Sequence, residues 1–152
     1  MTATPHIRLA MAADLAAVVA IEYSCFDDDA FSRRQLSYLI SKAQGVCYVA
    51  VVAGEVKGYI SLLAHSRRTN LRIYSTAVDA TLRRQGVGRS LLMQAICYAK
   101  KMQFASLSLE VKVTNSPALT LYEKLGFVCI GSRANYYHDG SAAWCMRLML
   151  NE

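Results

Sequence analysis

Between Leu71 and Leu92 the chain runs from a long strand candidate, Leu71–Asp79, through a polar loop, Ala80–Gly88, into an amphipathic helix. The loop contains Arg83-Arg84-Gln85-Gly86-Val87-Gly88-Arg89. Glycines at i and i+2 where a helix opens leave several backbone N–H groups uncovered by Cβ atoms. With the helix N-terminus, those donors form a nest for a phosphate or pyrophosphate, and the arginines add positive charge. A tight strand-to-helix turn with solubilising arginines accounts for the same residues about as well. The familiar nucleotide motifs are absent. No G-x-x-x-x-G-K-[ST] occurs, and Gly86 to Leu91 lacks the third glycine of a dinucleotide fingerprint.

The flanking segments set the architecture. Residues 12–25 read as a helix from composition. Ser32 and Gln35 make a capping box, followed by Leu36, Leu39, Ile40 and Ala43 at helical spacing, and Gly45 stands where that helix would stop. Val46–Ala53 and Val56–Ala64 read as strands joined by a hairpin at Gly54-Glu55, and Arg67–Asn70 as a polar turn. The helix after the glycine loop places Leu91, Leu92, Ala95, Ala99 and Met102 on one face. Ala105–Lys112 alternates, with Leu107, Leu109 and Val111 on one side and Ser108 and Glu110 on the other. Thr114-Asn115-Ser116-Pro117 starts a helix, Ala118, Leu121, Tyr122 and Leu125 line one of its faces, and Gly126 ends it. Strands near 127–133 and 142–150 close the order ααβββ-loop-αβαββ, a mixed α/β arrangement.

Composition narrows the class. The 152 residues are 54% hydrophobic and suit one domain, which excludes a disordered chain. The longest apolar run, Val46 to Ala53, is far short of the ~20 residues that span a bilayer. Met11–Ile21 is alanine-rich, as a signal peptide is, but Asp14 interrupts it. Seventeen Lys and Arg against eleven Asp and Glu give +6, scattered as pairs rather than as a basic tract. No basic stripe with interleaved aromatics marks a nucleic-acid binder. The five cysteines have no C-x-x-C spacing, and His6, His65 and His138 have no metal-ligand spacing, so no metal site is assigned. Cys47, Cys97, Cys129 and Cys145 sit in apolar stretches, as buried reduced thiols do. A soluble, cytoplasmic protein with no membrane partner is expected.

Taken singly, the candidate site residues are weak. Glu110 on the polar side of a strand is more often a solvated carboxylate than a base. Tyr122 on an apolar helix stripe is more often a core tyrosine, and Asn115 a helix cap. Asn135-Tyr136-Tyr137-His138-Asp139-Gly140 reads as a turn rich in aromatics, and with Trp144 it offers an interface or a substrate wall.

Together they form a pattern. Thr76-Ala77-Val78-Asp79, the R-x-x-G-x-G of Arg83 to Gly88, Leu109-Glu110-Val111, Asn115, Leu121-Tyr122-Glu123-Lys124-Leu125-Gly126-Phe127 and Asn135-Tyr136-Tyr137 occur in order. In this order and spacing, the chain resembles the GCN5-related N-acetyltransferase (GNAT) superfamily, and within it the RimI-like ribosomal-protein-alanine N-acetyltransferase branch. The likeness extends from Ile7-Arg8 to Met146.

The resemblance implies a single GNAT domain over residues 1–152, of α/β (α+β) class. Its sheet would be mixed and mostly antiparallel, with about six to seven strands, flanking helices and a splayed central parallel pair. That pair would be the strand ending near Asp79 and the strand carrying Glu110. The resemblance also implies that acetyl-CoA is the co-substrate. Its pyrophosphate would lie along Arg83, Arg84, Gln85, Gly86, Val87, Gly88 and Arg89, and its pantetheine arm along Thr76, Ala77 and Val78. Asn115 matches a cofactor contact. Glu110 and Tyr122 occupy the positions of the proton acceptor and the proton donor.

That pair suits an α-amine. Neutralising an α-amino group at pH 7 costs about 1 kcal/mol and a lysine nearly 5, so one carboxylate is adequate help for the first. The implied acceptor is a protein or peptide N-terminus, reached by direct transfer rather than through a cysteine. Two departures from the branch concern the acceptor. Phe26-Asp27-Asp28-Asp29-Ala30-Phe31-Ser32 has an acidic triplet where the ribosomal-protein enzymes commonly carry Pro-Trp. His138-Asp139-Gly140-Ser141-Ala142-Ala143 lacks the acidic pair often found before the last strand. A small amine or polyamine, a lysine side chain, and a catalytically silent CoA-binding module remain as alternatives.

Overall fold

The computed structural model describes residues 4–26, 28–41, 45–64, 69–83 and 85–150. Seven strands form one sheet: β1 (His6–Leu9), β2 (Gly45–Val52), β3 (Glu55–Ala64), β4 (Asn70–Val78), β5 (Ser106–Lys112), β6 (Val128–Arg133) and β7 (Ala143–Met149). Their spatial order is β1-β2-β3-β4-β5-β7-β6. Every neighbouring pair is antiparallel except β4 with β5. Helices α1 (Leu15–Cys25), α2 (Arg33–Ser41), α3 (Val87–Lys101) and α4 (Ser116–Lys124) cover the sheet.

Two apolar layers hold the helices to it. On one side Leu91, Leu92, Ala95 and Ala99 of α3 pack on Ile60, Leu62, Leu71 and Leu107, with the apolar side of α4 against the same cluster. On the other, Val18 and Ile21 of α1 and Leu36 and Leu39 of α2 pack on Val49, Tyr59 and Ala77. Gly58 permits the α3 contact, since a Cβ there would sit 3.1 Å from Leu91 Cδ1 and 3.2 Å from the Ala77 carbonyl. No helix among the described residues is long and apolar enough to cross a membrane.

Local signals translate into local structure where they are strong. The α2 capping box forms as expected: Ser32 N–H donates to Gln35 Oε1 at 2.8 Å, and Gln35 N–H to Ser32 Oγ at 3.2 Å. The β2–β3 hairpin turns at Ala53-Gly54, one residue before the expected Gly54-Glu55. Both residues have positive φ (52° and 81°), which matches the twist of the flanking strands.

The structure corrects several expectations. β1 was not expected, because four residues with two apolar side chains carry too little pattern; its pairing with β2 supplies the stabilisation. Arg8 then donates from two nitrogens to Asp14, at 2.8 and 2.9 Å, pinning β1 to the start of α1. Gly45 is not a helix stop. It opens β2 opposite Leu63, where a Cβ would lie 1.8 Å from the Leu62 carbonyl oxygen. Met102 lies beyond the last turn of α3 and is half-exposed, so it leaves the apolar face. Of the thiols read as buried, only Cys47 is. Cys97 and Cys129 are exposed and Cys145 intermediate: Cys97 lies on the solvent side of α3, and every residue of the edge strand β6 is exposed. Ala43, expected on the apolar face of α2, and the histidine His65 lie outside the described residues, as do Arg67 and Arg68 of the Arg67–Asn70 turn.

Candidate active site

The site arises where the sheet comes apart. β4 and β5 pair only through Asn70↔Ser106, Leu71↔Leu107 and Arg72↔Ser108. Past that point the strands diverge, and β4 main-chain groups on the β5 side have no strand partner. A register shift assists: Ser61 pairs with Ser75 but Leu62 with Ile73, so Tyr74 is an extra residue in β4. Such a bulge bends a strand and re-aims its side chains. Ser61 and Ser75 close the gap with a buried hydroxyl–hydroxyl hydrogen bond of 2.7 Å.

Two chambers occupy the cleft. One, of about 350 Å³, runs from Cys25, Val78, Arg83 and Gly88 towards Leu121 of α4. The other, of about 170 Å³, is walled by Glu22, Phe31, Tyr74, Glu110, Tyr136 and Tyr137. They share Phe26, Ile73, Thr76, Asn115 and Tyr122 in their walls, so they meet at those side chains.

The residues singled out from the sequence distribute across these chambers. Thr76, Ala77, Val78, Arg83, Gly88 and Asn115 line the larger one. Gln85, Gly86, Val87 and Arg89 do not. The Val87 side chain is buried in the α3 core, and Gln85 and Arg89 are exposed beside the helix N-terminus. Gly86 is the N-cap, with φ of 86°, a conformation that glycine adopts without strain. Arg84 lies outside the described residues. A Cβ at Gly88 would meet only Val78 Cγ2, at 3.7 Å, and would otherwise occupy the chamber. The missing side chain is therefore open space suited to an elongated ligand lying on the helix N-terminus.

Hydrogen bonds fix the rest of the frame. Thr76 Oγ1 donates to the Tyr59 carbonyl at 2.9 Å, and Asn115 Oδ1 accepts from Ala118 N–H at 3.3 Å as the cap of α4. Arg83 Nη2 lies 3.2 Å from Cys25 Sγ, whose thiol points to the Val78 carbonyl at 3.3 Å.

In the smaller chamber Glu110 is largely buried and its Oε1 accepts from Arg72 Nε at 2.9 Å and Nη2 at 2.7 Å. Burial pushes the Tyr122 hydroxyl up to about 12 and raises Tyr137 as well. The loops beside this chamber are tied together. His138 N–H donates to Asp29 Oδ1 at 2.8 Å, and Lys112 pairs with Asp139 at 2.9 Å, holding that carboxyl well below its ordinary range. Within the acidic triplet, Asp29 is thus engaged, Asp28 lies 3.7 Å from His138 Nε2, and Asp27 is outside the described residues.

Sequence reasoning missed Glu22, Arg72 and Tyr74, and named Phe31 only as part of the Phe26–Ser32 segment. Arg72, Tyr74 and Thr76 alternate along β4 and were a visible period-2 set; nothing in the spacing linked Arg72 to Glu110, 38 residues away. Of the aromatics expected at a wall, Tyr136 and Tyr137 line the chamber and Trp144 does not. No cluster of three His, Cys, Asp or Glu side chains arranged to hold a metal ion occurs among the described residues.

A sheet opened between two parallel strands beside a glycine-capped helix defines an acyltransferase-type cleft, and the comparisons agree. Residues 14–127 match the family described as Acetyltransferase (GNAT) family, and the chain belongs to it as a GNAT-fold acetyltransferase. It is 33% identical over 152 residues to an N-alpha-acetyltransferase of Sulfolobus acidocaldarius, covering 93% of this chain and 90% of that protein. The crystal structure of Ard1 from Thermoplasma volcanium superposes with a TM-score of 0.88 at 31% identity, covering 97% and 99% of the two chains. That of the ribosomal-protein-S18-alanine N-acetyltransferase from Escherichia coli gives 0.87 at 28% identity, covering 98% and 96%. These relatives bear out the resemblance to the RimI-like branch.

Proposed function

We propose that this acetyl-CoA-dependent acetyltransferase acetylates the α-amino group of a protein or peptide N-terminus, in a cytoplasm where its five free cysteines stay reduced. The observation that carries the reading is the meeting of the two chambers at Thr76, Asn115 and Tyr122, with Glu110 on one side and the glycine-opened helix on the other. Similarity to an N-alpha-acetyltransferase and a ribosomal-protein-alanine acetyltransferase supports the acceptor class.

In this reading the larger chamber takes acetyl-CoA, which supplies an acyl group activated as a thioester. Backbone N–H groups at the α3 N-terminus, with Arg83 and Arg89 nearby, hold the pyrophosphate. Thr76, Ala77 and Val78 offer the unpaired side of β4 to the pantetheine arm, and Asn115 closes the wall. Glu110 receives a proton from the acceptor ammonium, directly or through water. The freed amine nitrogen bonds to the thioester carbonyl carbon while a β4 backbone N–H steadies the carbonyl oxygen. The carbon–sulfur bond then breaks, Tyr122 gives its proton to the departing sulfur, and the tyrosinate takes the second proton of the attacking nitrogen, leaving a neutral amide and the CoA thiol.

Magnitudes qualify the last step. Against a free thiol of about 8.5, a tyrosine near 12 is a donor uphill by roughly 5 kcal/mol at 1.36 kcal/mol per unit. The leaving sulfur is desolvated in the same cleft, which raises its proton affinity and narrows that gap. A tyrosine held neutral is then always ready to donate at pH 7.

The test is CoA release from acetyl-CoA with Ala-initiated peptides, the same peptides with blocked N-termini, and polyamines. Turnover of free but not blocked peptides, cut by about 10²-fold or more in Glu110→Gln or Tyr122→Phe, is expected. Turnover of polyamines alone would overturn the acceptor assignment.

A further inference from the structure

Arg72 belongs to no part of the scheme above, yet it makes the closest contacts to Glu110. Its Nε and Nη2 both reach Oε1, at 2.9 and 2.7 Å, so a single oxygen of the carboxylate takes both bonds. Nη2 also donates to the Tyr136 hydroxyl at 3.1 Å, and the guanidinium lies 5.4 Å from the centre of the Tyr74 ring. That ring stacks on Phe31 at 5.1 Å and 20°. Glu110, Tyr136, Tyr74 and Phe31 all line the smaller chamber, whereas Arg72 does not. The arginine stands behind the chamber wall and holds three pieces of it: β5 through Glu110, β4 through Tyr74, and the β6–β7 loop through Tyr136.

We infer that Arg72 is a positioning residue for the acetyl transfer, fixing Glu110 by Oε1 so that Oε2 faces the acceptor amine. The inference rests on Glu110 as the proton acceptor. Its physical content is geometric. Two donors of one planar guanidinium converge on Oε1 and fix where that oxygen sits, which one bond from a freely rotating ammonium does less well, and they leave Oε2 without a bond from the arginine. The last residues at which β4 and β5 are still paired are Arg72 and Ser108. The clamp is therefore anchored where the sheet is rigid and acts two residues on, where β5 has left it.

The experiment compares wild type, Arg72→Ala, Arg72→Lys, Glu110→Gln and the double variant Arg72→Ala/Glu110→Gln with acetyl-CoA and an Ala-initiated peptide. For Arg72→Ala the expected result is a kcat lower by about tenfold or more, with KM for acetyl-CoA within about twofold of wild type. Guanidinium chloride at a non-denaturing concentration should restore part of that kcat in Arg72→Ala and none in Glu110→Gln. Arg72→Lys, which keeps the charge and loses the fork, should fall between. In the double variant, the arginine change should add nothing to the loss from Glu110→Gln. Wild-type kcat in Arg72→Ala beside an inactive Glu110→Gln would overturn the positioning role and leave the base intact. Wild-type kcat in Glu110→Gln would overturn the base and the positioning role with it. A loss in Arg72→Ala accompanied by a lowered Tm, with no guanidinium rescue, would reduce Arg72 to a structural residue.

Discussion

Glu22 and Tyr59 meet beneath the smaller chamber, where the Tyr59 hydroxyl donates to Glu22 Oε1 at 2.5 Å and the glutamate is 1% exposed. The other carboxylate oxygen accepts from Phe31 N–H at 3.0 Å. One buried side chain thus links α1, β3 and the segment that carries Phe31 onto Tyr74.

Burial raises the Glu22 carboxyl above its ordinary range, and the bonds from Tyr59 and Phe31 offset only part of that. A carboxyl whose folded pKa exceeds its unfolded one contributes stability that is present in full below the unfolded value and lost as pH rises through the folded one. Glu22→Gln removes this dependence. Urea denaturation over a pH series should show the variant gaining relative to wild type as pH climbs from about 4.3. The lost Phe31 bond adds a constant offset. A relative gain on acidification would contradict the assignment.

Gly88 should be replaceable in the fold but not in the site. It is the second residue of α3 and its absent side chain faces the larger chamber. Gly88→Val should weaken acetyl-CoA binding at least about tenfold by titration calorimetry. The Tm should stay within a few degrees of wild type, since Gly-to-Val inside a helix is not costly. Unchanged affinity would move the acyl donor out of that chamber.

Gly45 and Gly54 differ in why they are glycine. A Cβ at Gly45 collides with the Leu62 carbonyl, whereas Gly54 has open space and only a positive φ. Gly54→Ala should cost about 1 kcal/mol, and Gly45→Ala at least about twice that, because backbone must move. Denaturant midpoints of the two variants measure the ranking.

The thiols should separate by accessibility. Cys97 and Cys129 are exposed, while Cys47 is buried and its thiol is pushed up to about 12 by desolvation. An aromatic disulfide reagent at pH 8 should modify the exposed pair first and Cys47 only on unfolding. Early reaction of Cys47 would show the β2 layer to be open.

Much of this arrangement was legible from local sequence. The Ser32–Gln35 capping box, the Asn115 cap with Pro117 behind it, and the alternation along β5 each depend on residues within a few positions of one another. The glycine loop was legible as well, although only Gly88 and Arg83 of its described residues reach the chamber. β1 was not, because its two apolar side chains find their partners some forty residues away in β2. Gly45 was misread for the same reason: the atom that forbids a side chain there belongs to Leu62.

The sequence by itself determined every element but β1, the family and most of the residue types at the cleft, because periodicity, caps and motif spacing act within one strand or helix. The tertiary structure alone decided which of those residues meet. Arg72 reaches Glu110 only because β4 and β5 are paired up to Arg72 and splayed beyond it, and Glu22 reaches Tyr59 only because α1 packs on β3. Such contacts join residues 37 and 38 positions apart through a sheet opening that no single segment encodes.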